Sequence, residues 1–331
     1  MNLEKWNPGK LLEISGAYWQ SCALHAAVKL DVFSHLEGGP LDAAQMAERI
    51  GAERRAVAML LNAMAAMGLL EKAGDVFANT GTAARFLVRK APGYLGHMIL
   101  HHHHLAASWT QLDQAVRSGA PVRARASFGD PAVREAFLMG MFNNAMLLAP
   151  SVVAAVDLAD RRRLLDLGGG PGTYAIHFCQ ANPRLRATVF DLPATYPFAE
   201  RTIARFALAD RIEFVGGDHH NDPLPGGFDA AWLSHVLHGE RPETAARIVA
   251  KAAKALEPGG LLLIHDFILD DGGDGPLYPA LFSLNMLLGT DGGQSYTDGE
   301  IRRMMAAAGC RDIRRLAFRG PTESGIICAT V

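Results

Sequence analysis

The chain has 331 residues, enough for roughly two domains at about 150 residues each. It is 49% hydrophobic and 20% charged, the balance of a globular protein with a sizeable core. A formal charge of -2 leaves no electrostatic footprint for nucleic acid or an anionic membrane surface. The four cysteines, Cys22, Cys179, Cys310 and Cys328, form no CxxC, which argues against a disulfide framework or zinc site and for a reducing compartment. The N-terminal MNLEKWNPGK lacks the apolar core of a signal peptide. No stretch is expected to approach the ~20 apolar residues of a membrane span, so a cytoplasmic protein is expected.

From Leu11 to about Ala149 the pattern is helical and rich in Ala, Leu and Met. Asp42 precedes AAQMAERI as an N-cap, and Gly51 is a stop signal. The next helix, AVAMLLNAMAAMG, carries Met59, Leu60, Leu61, Met64 and Met67 and ends at Gly68. Leu69, Leu70, Val76 and Phe77 then flank a Gly74-Asp75 turn. Two short helices and a small hairpin make a winged-helix pattern. Only Arg54 and Arg55 precede the second helix, so it is expected to be buried in a core or dimer contact rather than laid in a DNA groove. His101 to His104 fall on a predicted helix. Only the first and last share a face, which makes a poor metal site, so cavity lining or a solvated helix is the reading.

Beyond Arg163 the pattern becomes alternating strands and helices. Strands are predicted at Arg163–Leu167, Ala187–Leu192, Ile212–Gly216, Phe228–Ser234 and Leu261–Phe267. Helices lie between them, including Glu243–Leu256, which the Gly259-Gly260 pair is expected to end. Ile313–Phe318 and Gly325–Val331 read as a closing hairpin. The fold class is therefore α/β, a Rossmann-like parallel sheet, preceded by an all-α winged-helix domain. The expected divisions are 1–105, a helical connector and pocket segment over 106–160, and 161–331.

Ligands of such sheets bind beyond the carboxyl ends of the strands. The first end is Asp166-Leu167-Gly168-Gly169-Gly170-Pro171-Gly172. A dinucleotide site wants GxGxxG, whose last position here is Thr173. The observed GxGxG suits a nucleoside without phosphates, which favours S-adenosylmethionine over NAD. Asp191, about 20 residues on, ends the second strand where an acid can take ribose hydroxyls. Asp218, in GGDHH, is expected to end the third strand and reach the adenine edge. Either acid could instead cap the next helix.

LLDLGGGPG, FDLP (190–193), GGDHH (216–220), LSHVLHGE (233–240) and PGGLLLIHDF (258–267) together resemble the ordered motifs of the hydroxyindole/caffeate-type O-methyltransferases. ALHAAVKLDVFSHL (23–36) and LDAAQMAERIGAERRAVAMLLNAMAAMGLLEK (41–72) resemble that family's winged-helix dimerisation domain. FNNAM (142–146) is similar to its segment over the cofactor, and FSLNMLLGTDGGQSYTDGEIRRMMAAAGC (282–310) to its substrate wall. The resemblance implies a homodimer that methylates a small-molecule hydroxyl and releases S-adenosylhomocysteine. Asp166, Gly168, Gly169, Gly170, Gly172, Asp191, Leu192, Asp218, His219, Ser234, Phe142 and Met146 are the expected cofactor residues. Trp109, Asn285 and Met286 are expected to face substrate, in a cleft between the domains. Trp232 is expected in the core.

Methyl transfer is a displacement at a sulfonium, and a phenol benefits from a base that removes its proton. Histidine suits that task at neutral pH. His219, His220, His235, His238 and His265 are candidates, and His238 follows the fourth strand at its carboxyl end. The family's base sits in an LHDW-like segment, which matches His238 within LHGE. The resemblance implies two orienting acids. The first matches Asp266, unless the frame shifts by one to His265. The second falls near Ser295, where no acid stands. The altered segment leaves open methylation at carbon or nitrogen, and a cofactor-binding homologue without methyl transfer. A cofactor-sensing winged-helix regulator and an NAD enzyme are more distant alternatives. No metal is expected.

Overall fold

The computed structural model describes residues 6–125 and 130–331, so the first five residues of MNLEKWNPGK lie outside it. The chain divides between Ala106 and Ala107 into two compact units. The first begins with α1 (Pro8–Gly16), α2 (Tyr18–Lys29) and α3 (Val32–His35). After β1 (Leu41–Asp42) come α4 (Ala43–Ile50), α5 (Arg54–Ala66), β2 (Leu70–Ala73), β3 (Val76–Asn79) and α6 (Gly81–Phe86). Helix α7 (Gly96–Trp109) spans the division.

Asp42 caps α4 in a reciprocal capping box with Gln45, and Gly51 ends it at a φ of 65°. The strands form a small antiparallel sheet in the order β1-β3-β2, completing the winged helix. Helix α5 departs from the sequence expectation. It buries Val57, Leu61 and Met64, whereas Met59 is 61% and Met67 37% exposed. The reason is helical period: Met59 lies two residues from Leu61, about 200° around the axis.

The second unit continues with α8 (Leu112–Ser118), α9 (Pro131–Ala155), β4 (Arg163–Leu167), α10 (Thr173–Ala181), β5 (Arg186–Asp191), α11 (Tyr196–Arg205) and β6 (Ile212–Gly216). It ends with β7 (Phe228–Ser234), α12 (Pro242–Lys254), β8 (Leu256–Phe267), α13 (Leu277–Gly289), α14 (Asp298–Ala307), β9 (Arg311–Arg315) and β10 (Ser324–Thr330). The seven-stranded sheet has the order β6-β5-β4-β7-β8-β10-β9. The strands from β6 to β8 are parallel, and β10 and β9 close the edge antiparallel, as the predicted hairpin requires.

Apolar clusters cover both faces of this sheet, one including Leu164, Phe178, Val189 and Trp232, the other Leu165, Leu233, Ile248 and Ile264. Chain direction reverses its course at β4 and β7, so the crevice at their carboxyl ends is the topological switch point. Two expectations are corrected. Helix α12 stops at Lys254, and Gly259-Gly260 lies inside β8, where Gly259 N–H donates to the Val331 carbonyl. Helix α9 is long and apolar enough to cross a membrane by length and composition, contrary to the expectation of no such stretch. Its Leu148, Ala149 and Val152 are spent in the sheet's core.

Candidate active site

The glycine turn after β4 is shaped by what its residues lack. Gly168 and Gly170 hold φ of 68° and 55°, which side chains rarely adopt. A Cβ on Gly168 would lie 2.7 Å from Val236 Cγ2, and one on Gly169 would lie 2.6 Å from Asp166 Cγ. At Gly170 a Cβ would meet nothing within 4 Å, so the backbone there borders open space. Gly172, at a φ of 79°, delivers the chain into α10.

Two carboxylates stand under this turn. Asp166 is buried; its Oδ2 accepts from Ala175 N–H at 3.3 Å, while Oδ1 has no partner. Burial pushes its carboxyl up to about 7, with Asp191 adding to the rise and the Ala175 N–H opposing it. Asp191 Oδ2 accepts from Gly170 N–H at 2.8 Å, and Oδ1 accepts from Leu192 N–H and Thr195 Oγ1. Burial raises its carboxyl too, despite those three bonds. An orphaned buried carboxylate beside open glycine backbone fits a cationic, hydroxyl-bearing ligand such as S-adenosylmethionine. A pyrophosphate would set negative charge against both acids, which counts against NAD.

Phe142 and Met146 lie along α9, Phe142 buried and Met146 with its Sδ 3.3 Å from His177 Nε2. Ser234 Oγ pairs with His265 Nδ1 at 2.9 Å, and His265 Nε2 with Ser324 Oγ at 3.0 Å. His265 is thus a buried structural histidine, which removes the one-residue frame shift. Asp218 lies two residues past β6 and closes a local turn, accepting from His220 N–H and Asn221 Nδ2. His219 presents a buried, partnerless Nε2 beside it.

Across the switch point, Leu237–Gly239 form a short 3-10 turn after β7. His238 Nδ1 donates to Asp266 Oδ1 at 2.6 Å, and Asp266 Oδ2 accepts from His238 N–H at 3.4 Å. A carboxylate only accepts, so Nδ1 carries a proton, and in the neutral ring it is Nε2 that offers a lone pair. Burial alone would raise Asp266, but the charge and hydrogen bond of His238 and the nearby His235 imidazole hold it far below the usual carboxylate range. The His238 ring stacks on Phe267 and meets Phe282 edge-on, with centroids 5.9 and 4.8 Å apart.

Sequence reasoning offered His235 only as a candidate base, without its contact to Asp266, and it missed Arg125 and Glu240. His235, at a φ of 58°, places Nδ1 3.5 Å from Asp266 Oδ1. Arg125 pairs with Glu240 at 2.8 Å and donates to the Gly239 carbonyl, pinning the turn that carries His238. Among the described residues, two clusters, His235-His238-Asp266 and His219-His220-Glu240, each gather three possible metal-ligand atoms within 4.8 Å. Ser295 is buried with a partnerless Oγ where a second acid was sought.

Of the expected substrate residues, Asn285 and Met286 lie buried on α13 with Phe282 one turn before them. Trp109 ends α7 at 36% exposure, and among the described residues no hydrogen bond or ring contact joins it to the His238 group. Trp232 is in the core, as expected. His101–His104 lie on α7, His101 buried and His103 edge-on to His25.

The fold and site define the class, a methyltransferase with an appended winged-helix unit. Residues 109–311 match the O-methyltransferase domain family, and residues 12–89 match the O-methyltransferase dimerisation domain. The chain belongs to the O-methyltransferase family. It is 35% identical to a 3-hydroxy-5-methyl-1-naphthoate 3-O-methyltransferase of Streptomyces sahachiroi, over 97% of this chain and 94% of that one. It is 36% identical to a tetracenomycin polyketide synthesis 8-O-methyltransferase of Streptomyces glaucescens, over 96% of each. The structure of human N-acetylserotonin methyltransferase in complex with S-adenosylmethionine superimposes with a TM-score of 0.85 at 28% identity, covering 100% of this chain and 99% of that one.

Proposed function

We propose that this chain O-methylates a hydroxyl of an aromatic small molecule, with S-adenosylmethionine as donor and His238 as general base. The observation that carries the reading is the 2.6 Å contact of His238 Nδ1 with Asp266, beside the glycine turn. When bound, the donor supplies an activated methyl group on a sulfonium. Asp166, with its free Oδ1, and the backbone of Gly168 to Gly172 would hold the positive end. Asp191, whose oxygens are anchored by Gly170, Leu192 and Thr195, would accept from the ribose hydroxyls.

His238 Nε2 takes the proton of the substrate hydroxyl. Asp266 fixes the ring and stabilises the imidazolium as it forms. Phe267 and Phe282 wall the ring and limit water around it. The intact pair supports deprotonating chemistry over a homologue without transfer. The relatives that act on a naphthoate and a polyketide support an aromatic hydroxyl as substrate class.

His238→Ala is expected to lower turnover about 10²–10⁴-fold while calorimetric affinity for S-adenosylmethionine stays within about two-fold. Turnover unchanged with an accepted phenol would overturn the base assignment. The dimerisation-domain match and the exposed apolar residues of α1 and α2 support a homodimer formed through the N-terminal unit.

A further inference from the structure

Arg123 is a held cation without a counter-ion. Val122 and Arg123 both donate backbone N–H groups to the Leu288 carbonyl, at 3.0 and 3.1 Å, which fastens the segment to the end of α13. The guanidinium then turns along that helix. Its Nη2 donates to the Asn285 carbonyl at 3.3 Å and to Asn285 Oδ1 at 3.2 Å, and Nη1 to the Ala124 carbonyl at 3.4 Å. All three acceptors are neutral and all three bonds are long. Nε is buried without a partner. Among the described residues no carboxylate lies within ion-pair distance of Arg123, although Arg125 two residues on has Glu240. A Cβ at Gly289 would lie 2.3 Å from Nη1, so the helix carries a glycine where the guanidinium crosses it.

Half-burying a cation beside neutral acceptors alone is costly, and a flexible arginine would ordinarily swing to solvent or to an acid. The same helix face connects it to the reacting end of the site. Phe282, Asn285 and Gly289, at i, i+3 and i+7, share that face, and Phe282 touches the His238 ring. Asn285, which the guanidinium holds, is three residues from Phe282, roughly 4.5 Å of helix rise, so Arg123 and the ring that meets His238 lie on neighbouring turns of one helix face.

We propose that Arg123 is a substrate-anion site that binds the carboxylate of an aromatic hydroxy acid and orients its hydroxyl toward His238. The guanidinium fork matches a carboxylate in two-point geometry, which a neutral carbonyl does not. The inference rests on the reading of His238 as the base, and its test separates the two.

The probes are a hydroxynaphthoate and its methyl ester. Binding is measured by calorimetry on the full chain saturated with S-adenosylhomocysteine, and KM and kcat with S-adenosylmethionine. The native protein is expected to bind the carboxylate at least ten-fold more tightly than the ester. Arg123→Met is expected to abolish that preference, and Arg123→Lys, which keeps charge but not the fork, to restore part of it. Retained cofactor binding certifies that each variant is folded. If Arg123→Met does not fold, the native preference and the Arg123→Lys series decide alone. Equal affinity of the native protein for the two probes, binding of neither, or an equal loss for both in the variants overturns the proposal. A carboxylate preference that needs Arg123 without methylation of either probe leaves the anion site standing and overturns the reaction instead.

Discussion

Asp166 and Asp266 are both buried carboxylates at strand ends, and their surroundings move them in opposite directions. Asp266 has two imidazoles and the backbone N–H groups of His238 and Phe267 around it, so it stays charged and can balance an imidazolium. Asp166 has one N–H bond and an acid neighbour, and burial holds it near 7 against 3.8 in its ordinary state. Between those values the folded chain keeps a proton that the unfolded chain has released. Stability from this group is therefore full below about 3.8 and lost as pH rises through about 7. A cationic ligand favours the ionised form, so S-adenosylmethionine is expected to bind more tightly as pH rises through about 7, with release of a proton. Calorimetry in two buffers of different ionisation enthalpy reads that proton. Asp166→Asn is expected to abolish its release, weaken the cofactor and flatten the fall of melting temperature between about pH 4 and pH 7. Proton release unchanged in the variant would exclude Asp166 as its source.

The turn carrying His238 is too short to hold itself. Leu237–Gly239 make a single 3-10 turn, and three contacts from elsewhere fix it: Arg125 to Gly239 and Glu240, Tyr296 Oη to the Glu240 carbonyl, and Asp266 to His238. Glu240 is buried, so removing Arg125 leaves its carboxylate only the His220 imidazole, at 3.4 Å. Arg125 is itself a third exposed, which places the expected loss for Arg125→Ala at about 1–3 kcal/mol, below that of a fully buried pair. The melting temperature should fall accordingly, and kcat should fall more than KM rises because His238, the proposed base, loses its orientation. Unchanged kcat in a destabilised variant would confine Arg125 to stability. At this scale the sequence was readable where a pattern is local. The strands β4, β6 and β7 fall where alternation and glycine signals put them, and Asp42 caps α4. It misled at Gly259-Gly260, where glycines serve a bend pairing with the C-terminus rather than a helix stop.

At the scale of the whole chain, the N-terminal unit leaves Leu11, Leu12, Ile14, Tyr18 and Trp19 exposed on α1 and α2. A contiguous set of large apolar side chains on a folded surface marks an interaction site. Leu12→Asp with Trp19→Asp is expected to convert the proposed homodimer to monomer in analytical ultracentrifugation, with the cofactor affinity of the second unit retained within about three-fold. A native chain that sediments as a monomer at micromolar concentration would overturn the homodimer.

The sequence by itself determined the class of fold, the glycine turn and the identity of His238 and Asp266 as strand-end residues, because hydrophobic period, glycine spacing and chain order are local properties. Tertiary structure decided what those residues meet. It chose Asp266 over His265 as the partner of His238, brought His235 to the same carboxylate, and set Arg125 on Glu240 across 115 residues. It also laid Arg123 on Asn285 across 162. Those pairings depend on how strands and helices are stacked, and no spacing along the chain encodes a contact between residues that far apart.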